Sequence, residues 1–337
     1  MFAQDIVIPL GIGLAIFLFG LKAMEIGLNE WAGPFLFAFM RRFTNTPFRG
    51  LVTGTVATTA LQSSAVVTVI TIGLVNAGVL TFRQTLGIVL GANIGACITT
   101  EMLGLDVSER ALPLLLGSST VWLVLLLLPL RNAQHKRQLQ PHARALRFLA
   151  RYSIPLRCFV LTLCGFAAIL LGMEWMYSIV PDLQSRGLFV WFLEQSQRSL
   201  LWGLLAGALI TAVIQSSTAT ITVAMGLAAV QAISVELGIA IVLGANIGTC
   251  STALIACIGG SRAGQYVAWS NILLNIGGSL LFFPFIQQLE WLSSIGTSSP
   301  YDQLARAQAI FNVICSAFAL PFCYIGFNTP RMSPLGR

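Results

Sequence analysis

Gln62-Ser63-Ser64, an amide and two hydroxyls within an apolar stretch, occurs again as Gln215-Ser216-Ser217, 153 positions later. At the same offset and without a gap, the stretch Ile88-Val89-Leu90-Gly91-Ala92-Asn93-Ile94-Gly95 returns as Ile241-Val242-Leu243-Gly244-Ala245-Asn246-Ile247-Gly248. Over residues 50–100 the two copies are identical at 19 of 51 positions, far more than chance gives. The chain therefore contains an internal duplication, and the duplicated polar triplet is the candidate working site.

Composition indicates a membrane protein. Of the 337 residues, 56% are hydrophobic and 9% are charged, whereas about 25% are charged in soluble domains. We therefore take the net charge of +7 as a sign of orientation in the membrane and not of nucleic-acid binding. The seven cysteines lie in apolar segments without metal-ligand spacing, which predicts buried thiols with neither disulfides nor a zinc site.

Seven apolar segments are long enough to cross a bilayer, which takes about 20 residues: 6–28, 86–103, 111–130, 158–180, 237–258, 265–285 and 304–325. Segments 50–80 and 203–233 are too long for one crossing and too short for two. We interpret them as re-entrant helical hairpins whose tips carry the Gln-Ser-Ser triplets at mid-membrane, where irregular backbone must be buried or line a wet cavity. The predicted fold is an all-α polytopic membrane protein with two repeats, each a hairpin followed by a Gly-Ala-Asn-Ile-Gly helix.

The charge distribution predicts orientation. With the N-terminus outside, 14 of the 19 basic residues lie on the cytoplasmic side, in agreement with the positive-inside rule. The two copies then have opposite orientations, since Arg83 on the inside aligns with Glu236 on the outside. Inverted repeats with interrupted apolar segments are typical of secondary transporters. We expect a multi-pass protein of the cell (inner) membrane with an extracytoplasmic N-terminus and a cytoplasmic C-terminus.

The predicted organisation has four parts: membrane repeat 1 over 1–130, a basic cytoplasmic linker over 131–157, membrane repeat 2 over 158–325 with an extra C-terminal span, and a short cytoplasmic tail over 326–337. The only histidines, His135 and His142, lie in the linker. A serine nucleophile needs an adjacent base, and no Gly-x-Ser-x-Gly motif is present. We therefore do not expect an enzyme.

The residue types at the triplets favour ion binding. The N-terminus of a half-helix has positive partial charge and free N–H groups suited to an oxyanion, whereas carbonyl and hydroxyl oxygens suit a hard cation such as sodium. Neither hairpin and neither Gly-Ala-Asn-Ile-Gly motif contains lysine or arginine. A bound anion would therefore need compensation from helix dipoles and bound cations, which links the two ligands energetically.

Individual residues have competing interpretations. Buried amides are costly, which favours a function for Gln62, Gln215, Asn93 and Asn246. The glycines spaced by four in the Gly-Ala-Asn-Ile-Gly helices are typical of close helix packing. Glu25 and Glu174 are ionisable groups within apolar spans, and they are either functional or reach the membrane surface from helix ends.

The doubled triplet, as TALQSSA at 59–65 and AVIQSST at 212–218, each followed by GANIG, resembles the type II sodium/phosphate cotransporter family over nearly the whole chain. The resemblance implies sodium-coupled movement of inorganic phosphate, with both ligands at the triplets. The expected phosphate-binding residues are Gln62, Ser63, Ser64, Asn93, Gln215, Ser216, Ser217, Thr218 and Asn246. The expected sodium-binding residues are Thr58, Ser64, Asn93, Thr99, Thr211, Ser217, Asn246 and Thr252.

The resemblance also implies partners and leaves alternatives. We expect sodium as the coupling ion, no covalent cofactor, and phosphate, sodium and the lipid bilayer as partners, with no nucleic acid. Many bacterial relatives append a PhoU-like helical domain that we do not find here, so a separate PhoU-like regulator is open, as is a homo-oligomer. Relatives often have a third serine where Ala65 and Thr218 stand. The alternative functions are a sodium-coupled carrier of sulfate or a carboxylate, and an anion channel.

Overall fold

All regular elements in the described part of the chain are helices. The structure is a computed structural model, and it describes residues 8–103, 111–127, 153–178 and 187–325. The α-helices are α1 Ile8–Phe43, α2 Pro47–Leu61, α3 Ser64–Asn76, α4 Phe82–Leu103, α5 Ala111–Leu127, α6 Ser153–Ser178, α7 Gly187–Arg198, α8 Leu201–Ile214, α9 Ser217–Ala229, α10 Val235–Gly248, α11 Cys250–Cys257, α12 Arg262–Phe282, α13 Ile286–Ser294 and α14 Pro300–Ala319. Short 3₁₀ helices follow α12 at Phe283–Phe285 and α14 at Leu320–Tyr324.

Within the described ranges, six helical stretches are long and apolar enough to cross a membrane: Gly11–Leu28, Phe82–Met102, Pro155–Met176, Val235–Cys257, Arg262–Ser294 and Pro300–Tyr324. They correspond to six of the predicted spans, and α5 covers 17 residues of the seventh. The prediction of an all-α polytopic membrane protein is confirmed. The first helix is longer than expected, since α1 continues past 28 to Phe43, and the connection between the predicted span 158–180 and segment 203–233 contains the helix α7. The 131–157 linker lies almost wholly outside the described residues, as does the 326–337 tail.

The chain divides into two compact units. One contains residues 1–35 with 106–179, and the other contains residues 36–105 with 180–337. In the first unit, α1 runs antiparallel to α6, because Gly13 lies against Gly172 whereas Gly27 lies against Cys158. Both hairpins and both Gly-Ala-Asn-Ile-Gly helices belong to the second unit.

Each triplet breaks a helix in the same way. Gln62 ends α2 in the left-handed conformation, with φ 55°, and Ser63 begins α3 by accepting a hydrogen bond at its Oγ from Val66 N. Gln215 ends α8 with φ 60°, and Ser216 Oγ accepts from Ala219 N at the start of α9. A left-handed residue stops the helical hydrogen-bond pattern, and the serine satisfies an N–H at the start of the next helix. The predicted interruption therefore lies at the triplets themselves.

Contacts along α4 give the direction of the first broken pair. Gly87 lies against Pro47 and Gly95 against Thr58, so α2 and α4 run parallel. The chain must return between them, and α3, with 13 residues, is the segment that returns. At about 1.5 Å per residue, α3 covers roughly 20 Å, which matches the rise of α2. The pair α2 and α3 is therefore an antiparallel helical hairpin.

The second copy repeats this arrangement. Gly244 lies against Leu204 and Gly248 against Thr211, so α8 and α10 also run parallel. The turn after each returning helix has matching backbone hydrogen bonds, such as Val79 N to Leu74 O and Ala232 N to Leu227 O. Equivalent positions also share a positive φ, namely Gly78 (69°) and Gln231 (57°). The duplication is thus visible in structure as well as in sequence.

Helix α14 packs against α4 in the antiparallel direction. Thr100 Oγ1 donates to Gln308 Oε1 near the middle of α14, and Ser316 Oγ donates to Leu90 O one turn before its end. Both side chains of α14 in these bonds are buried.

The same helix packs against α10 in the parallel direction. A Cβ on Gly238 would overlap Leu304, and Asn312 Nδ2 donates to Asn246 Oδ1. Since α14 is antiparallel to α4 and parallel to α10, the two equivalent helices α4 and α10 run in opposite directions.

Close packing at the glycines of α4 should be sensitive to one added methyl group. We expect Gly91→Ala to destabilise the protein by about 1–3 kcal/mol, because the new Cβ would overlap the Leu51 carbonyl and the backbone would have to move. Gly277→Ala is the matched control, since a Cβ there has no heavy atom within 4 Å. Thermal unfolding in detergent measures both, and equal melting temperatures would contradict the expectation.

Candidate functional site

Two half-helices begin at the triplets with free donors. Ser63 and Ser216 use their Oγ atoms to accept N–H bonds within α3 and α9, so their hydroxyl hydrogens remain available to a ligand. The following residues, Ser64 in α3 and Ser217 with Thr218 in α9, are only half buried and lie in the first turn. First-turn N–H groups have no helical acceptor and carry the positive end of the helix dipole. The geometry suits an oxyanion.

The first hairpin also contains oxygens without partners. Thr58 Oγ1, Gln62 Oε1 and Thr99 Oγ1 are buried and accept or donate no hydrogen bond within the described residues. Thr58 lies against Gly95, and since α2 and α4 are parallel, one turn further along each helix leads to Gln62 and Thr99. The three oxygens thus occupy neighbouring register positions at the C-terminal end of α2. That end carries the negative pole of the helix dipole, which favours a cation.

The equivalent side chains in the second hairpin have partners. Thr211 Oγ1 donates to Thr220 Oγ1 at 2.8 Å, and Gln215 Nε2 donates to Ser251 Oγ at 2.8 Å. Thr252 Oγ1 donates to the carbonyl oxygen of Thr249 at 2.6 Å. The two copies therefore have the same backbone but differ in how their polar side chains are satisfied.

The two motif asparagines lie in a buried cluster of amides. Asn93 Nδ2 donates to Asn275 Oδ1 at 3.2 Å, and Asn275 Nδ2 donates to Asn271 Oδ1 at 3.0 Å. Asn312 Nδ2 donates to Asn246 Oδ1 at 3.5 Å. The bond to Asn275 engages the nitrogen of Asn93, and the Oδ1 of Asn93 has no hydrogen bond within the described residues. Asn246 is engaged at both ends, since its Nδ2 donates to Val242 O.

Four amides of this cluster were missed by the sequence analysis: Asn271, Asn275, Gln308 and Asn312. They form two pairs spaced by four, one in α12 and one in α14, and each pair lies on one face of an otherwise apolar helix. All four are buried. A search for amides repeated one turn apart within the spans 265–285 and 304–325 would have found them.

Four predicted site residues of the first copy lie in two places. Thr58, Gln62 and Thr99 lie at the α2 and α4 interface, whereas Asn93 lies on the face of α4 toward α12. Among the described residues, no hydrogen bond joins Asn93 to the other three.

The two acidic candidates lie elsewhere. Glu25 and Glu174 belong to the other compact unit, where Glu25 pairs with Lys22 at 3.0 Å and Glu174 is exposed.

An open cavity of about 370 Å³ lies beside the amide cluster. It is lined by Glu101, Leu292, Ile295, Arg306, Ala309 and Ile310. Glu101 and Arg306 are close in sequence to Thr100 and Gln308, the hydrogen-bonded pair at this end of the cluster. The cavity is therefore lined in part by sequence neighbours of this pair and by none of the amides themselves.

Duplicated broken helices, together with six helical stretches in the described residues that could cross a membrane, are typical of a polytopic membrane transporter. The chain belongs to the Na+/Pi-cotransporter family, whose model matches residues 16–178 and 168–298. No solved structure is significantly similar to it.

Three relatives illustrate the range of the family. YqeW of Bacillus subtilis, an uncharacterised protein, is 27% identical over 91% of this chain and 92% of its own length. YjbB of Escherichia coli K12, whose name proposes inorganic phosphate export, is 24% identical over 92% of this chain. The chain spans 52% of YjbB. The human sodium-dependent phosphate transport protein 2B is 35% identical over 34% of this chain and 17% of its own length.

Proposed function

We propose that this protein is a sodium-coupled carrier of inorganic phosphate that binds both ligands between its two hairpins and works by alternating access. The observation that carries the proposal is the pair of matching helix breaks, in which Ser63 and Ser216 each begin a half-helix with unused donors. The Na+/Pi-cotransporter family supports phosphate as the substrate.

Phosphate is bound by the starts of α3 and α9. Ser63, Ser64, Ser216, Ser217 and Thr218 supply hydroxyl and first-turn N–H donors, which are the groups that helix N-termini offer to phosphate. Arg49 lies in the first turn of α2, 13 positions before Gln62, and segments 50–80 and 203–233 contain no lysine or arginine, so no fixed basic side chain stands at the tips to neutralise the anion. Sodium therefore binds with the anion and supplies the missing charge.

Sodium is bound in the first hairpin by Thr58, Gln62 and Thr99. Their three buried oxygens have no protein partner, and a buried oxygen without a partner costs about 1–3 kcal/mol. A hard cation such as sodium satisfies all three at once. Asn93 offers a further carbonyl oxygen in the amide cluster, whereas Thr211, Thr252 and Asn246 are already satisfied within the protein.

Alternating access is supported by the opposite directions of equivalent helices. The first helices of the two repeats, α1 and α6, are antiparallel, and so are the motif helices α4 and α10. Repeats of opposite direction place a shared site near the midplane and allow one half to rock against the other. The hairpins are then re-entrant from opposite sides, with the N-terminus outside and the C-terminus in the cytoplasm. The cavity lined by Glu101 and Arg306 is the entrance from the outside.

Reconstitution tests this proposal directly. Labelled phosphate should accumulate in proteoliposomes under an inward sodium gradient and not under an equal potassium gradient. Excess unlabelled phosphate should suppress the signal, whereas sulfate or a carboxylate should not, which separates this function from a carrier of another anion. Sodium-independent flux would contradict coupling, and flux without countertransport of labelled substrate would indicate a channel.

A further inference from the structure

The side-chain nitrogen of Asn312 has more acceptors than hydrogens. Its Nδ2 lies 3.1 Å from Gln308 O, 3.4 Å from Cys97 Sγ and 3.5 Å from Asn246 Oδ1. An amide nitrogen has two hydrogens, so three acceptors cannot all be served at once. Asn312 is 2% exposed, so water does not donate a hydrogen bond to the acceptor that is left over.

The two longer bonds of Asn312 join α14 to different copies of the duplicated sequence. Gln308 lies one turn earlier on α14 itself, and its bond with Asn312 is local. Cys97 lies on α4 in the first copy, and Asn246 lies on α10 in the second copy. One hydrogen of Asn312 is therefore shared between the two equivalent helices, which run in opposite directions along α14.

We propose that Asn312 is a positioning residue that links the two halves of the transport site by exchanging one hydrogen bond between Cys97 and Asn246. This inference rests on the proposed function and adds to it. When α14 shifts toward α4, the bond from Asn312 to Cys97 shortens and the bond from Asn312 to Asn246 breaks. The opposite shift restores the bond to Asn246. Such an exchange gives a buried helix two discrete positions, which a change of access requires. Asn312 has no hydrogen bond to Ser63, Ser64, Ser216, Ser217 or Thr218, the proposed phosphate donors, among the described residues.

The proposal predicts a change in turnover without a change in binding. Asn312→Leu keeps a similar volume but removes both donors. We expect the maximal rate of sodium-driven phosphate uptake to fall about tenfold, or about 1.4 kcal/mol in activation free energy. The KM for phosphate and the Kd measured by calorimetry should stay within about twofold, since Asn312 has no hydrogen bond to the proposed phosphate donors in the described part of the chain.

The matched control is Ser316→Ala on the same helix. Ser316 Oγ donates to Leu90 O at 3.3 Å, so this variant also removes a buried bond from α14 to α4, but one that is not shared between halves. Its turnover should stay within about twofold of the wild type. Unchanged turnover in Asn312→Leu, or a parallel loss of phosphate affinity, would overturn the proposal.

A second measurement needs no substrate. Melting temperatures of Asn312→Leu, Cys97→Ala and the double variant form a double-mutant cycle. The cycle compares the double variant with the sum of the two single variants, so the stability lost from packing at Cys97 alone cancels. The two changes should be clearly non-additive, whereas Ser316→Ala with Cys97→Ala should be additive. Additive effects of Asn312→Leu and Cys97→Ala would refute the shared bond. A wild type that carries no phosphate would refute the proposed function instead, and this cycle would still decide the role of Asn312.

Discussion

Replacing either Gln62 or Gln215 by alanine should lower the initial rate of sodium-driven phosphate uptake well over tenfold. Each glutamine ends the helix that precedes the serines proposed to bind phosphate, so it lies at the tip of one hairpin. If the two tips form one shared site, loss of either removes part of the same set of ligands. Gln62 Oε1 is a buried oxygen and Gln215, although exposed, holds its amide by a bond to Ser251, so each variant loses a ligand group at its tip; about 1.4 kcal/mol is already tenfold in binding.

Two control variants distinguish the effect of losing the amide side chain from the effect of changing backbone strain. Gln62→Gly removes the same amide but relieves the left-handed conformation, which glycine adopts without strain. It should therefore be as inactive as Gln62→Ala. Gln231 is also left-handed but lies exposed in the turn after α9, and Gln231→Ala should transport normally. Two independent pathways would instead leave about half of the wild-type rate in each single variant, by additivity of uncoupled sites.

Much of the fold could be predicted because it depends on local sequence. The lengths of the apolar segments gave the helices, and the polar triplets gave the two breaks. A helix must end where a left-handed residue is followed by a serine cap, and both copies contain the residues for it. The return of the chain after each break was also predictable, since segments of about 30 residues are too long for one crossing of the bilayer and too short for two. Re-entrant entry into the membrane and the orientation of the termini stay predictions.

The amide cluster could not be predicted because its contacts join residues that are far apart in sequence. Asn93 and Asn275 are separated by 182 positions, and Asn246 and Asn312 by 66. The partners on α12 and α14 lie outside the region of identity between the copies, so the duplication gave no signal for them. Only the packing of α12 and α14 against both motif helices brings these amides together.

The difference between the two hairpins, however, can be explained by single substitutions. Thr211 bonds Thr220, but at the same offset of 153 the residue equivalent to Thr220 is Val67. Gln215 bonds Ser251, and the equivalent residue is Ile98. Because valine and isoleucine offer no hydrogen-bonding group, Thr58 and Gln62 keep unsatisfied oxygens where their counterparts do not. The sequence therefore already contained the asymmetry that favours a cation site in the first hairpin.

Thr58→Val should weaken the apparent affinity for sodium about tenfold or more while leaving the sodium-free protein as stable as the wild type or more stable. The Thr58 hydroxyl is fully buried without a partner, so its removal relieves a cost of about 1–3 kcal/mol when no cation is present. Thr211→Val is the matched variant: it loses a bond to Thr220 and should be destabilised by about 0.5–1.5 kcal/mol with little change in sodium affinity.

Val67→Thr tests the same site from the opposite direction, because it gives Thr58 the partner that Thr220 gives Thr211. A protein partner competes with the cation for the hydroxyl, so Val67→Thr should also weaken sodium activation while Thr58 is intact. Melting temperatures without sodium, together with the sodium dependence of phosphate uptake, measure both effects. If Thr58→Val lowers the sodium-free melting temperature and leaves sodium activation unchanged, the hydroxyl has a structural role and sodium binds elsewhere. Opposite signs for stability and sodium affinity in Thr58→Val are expected only if the unpaired oxygens are cation ligands.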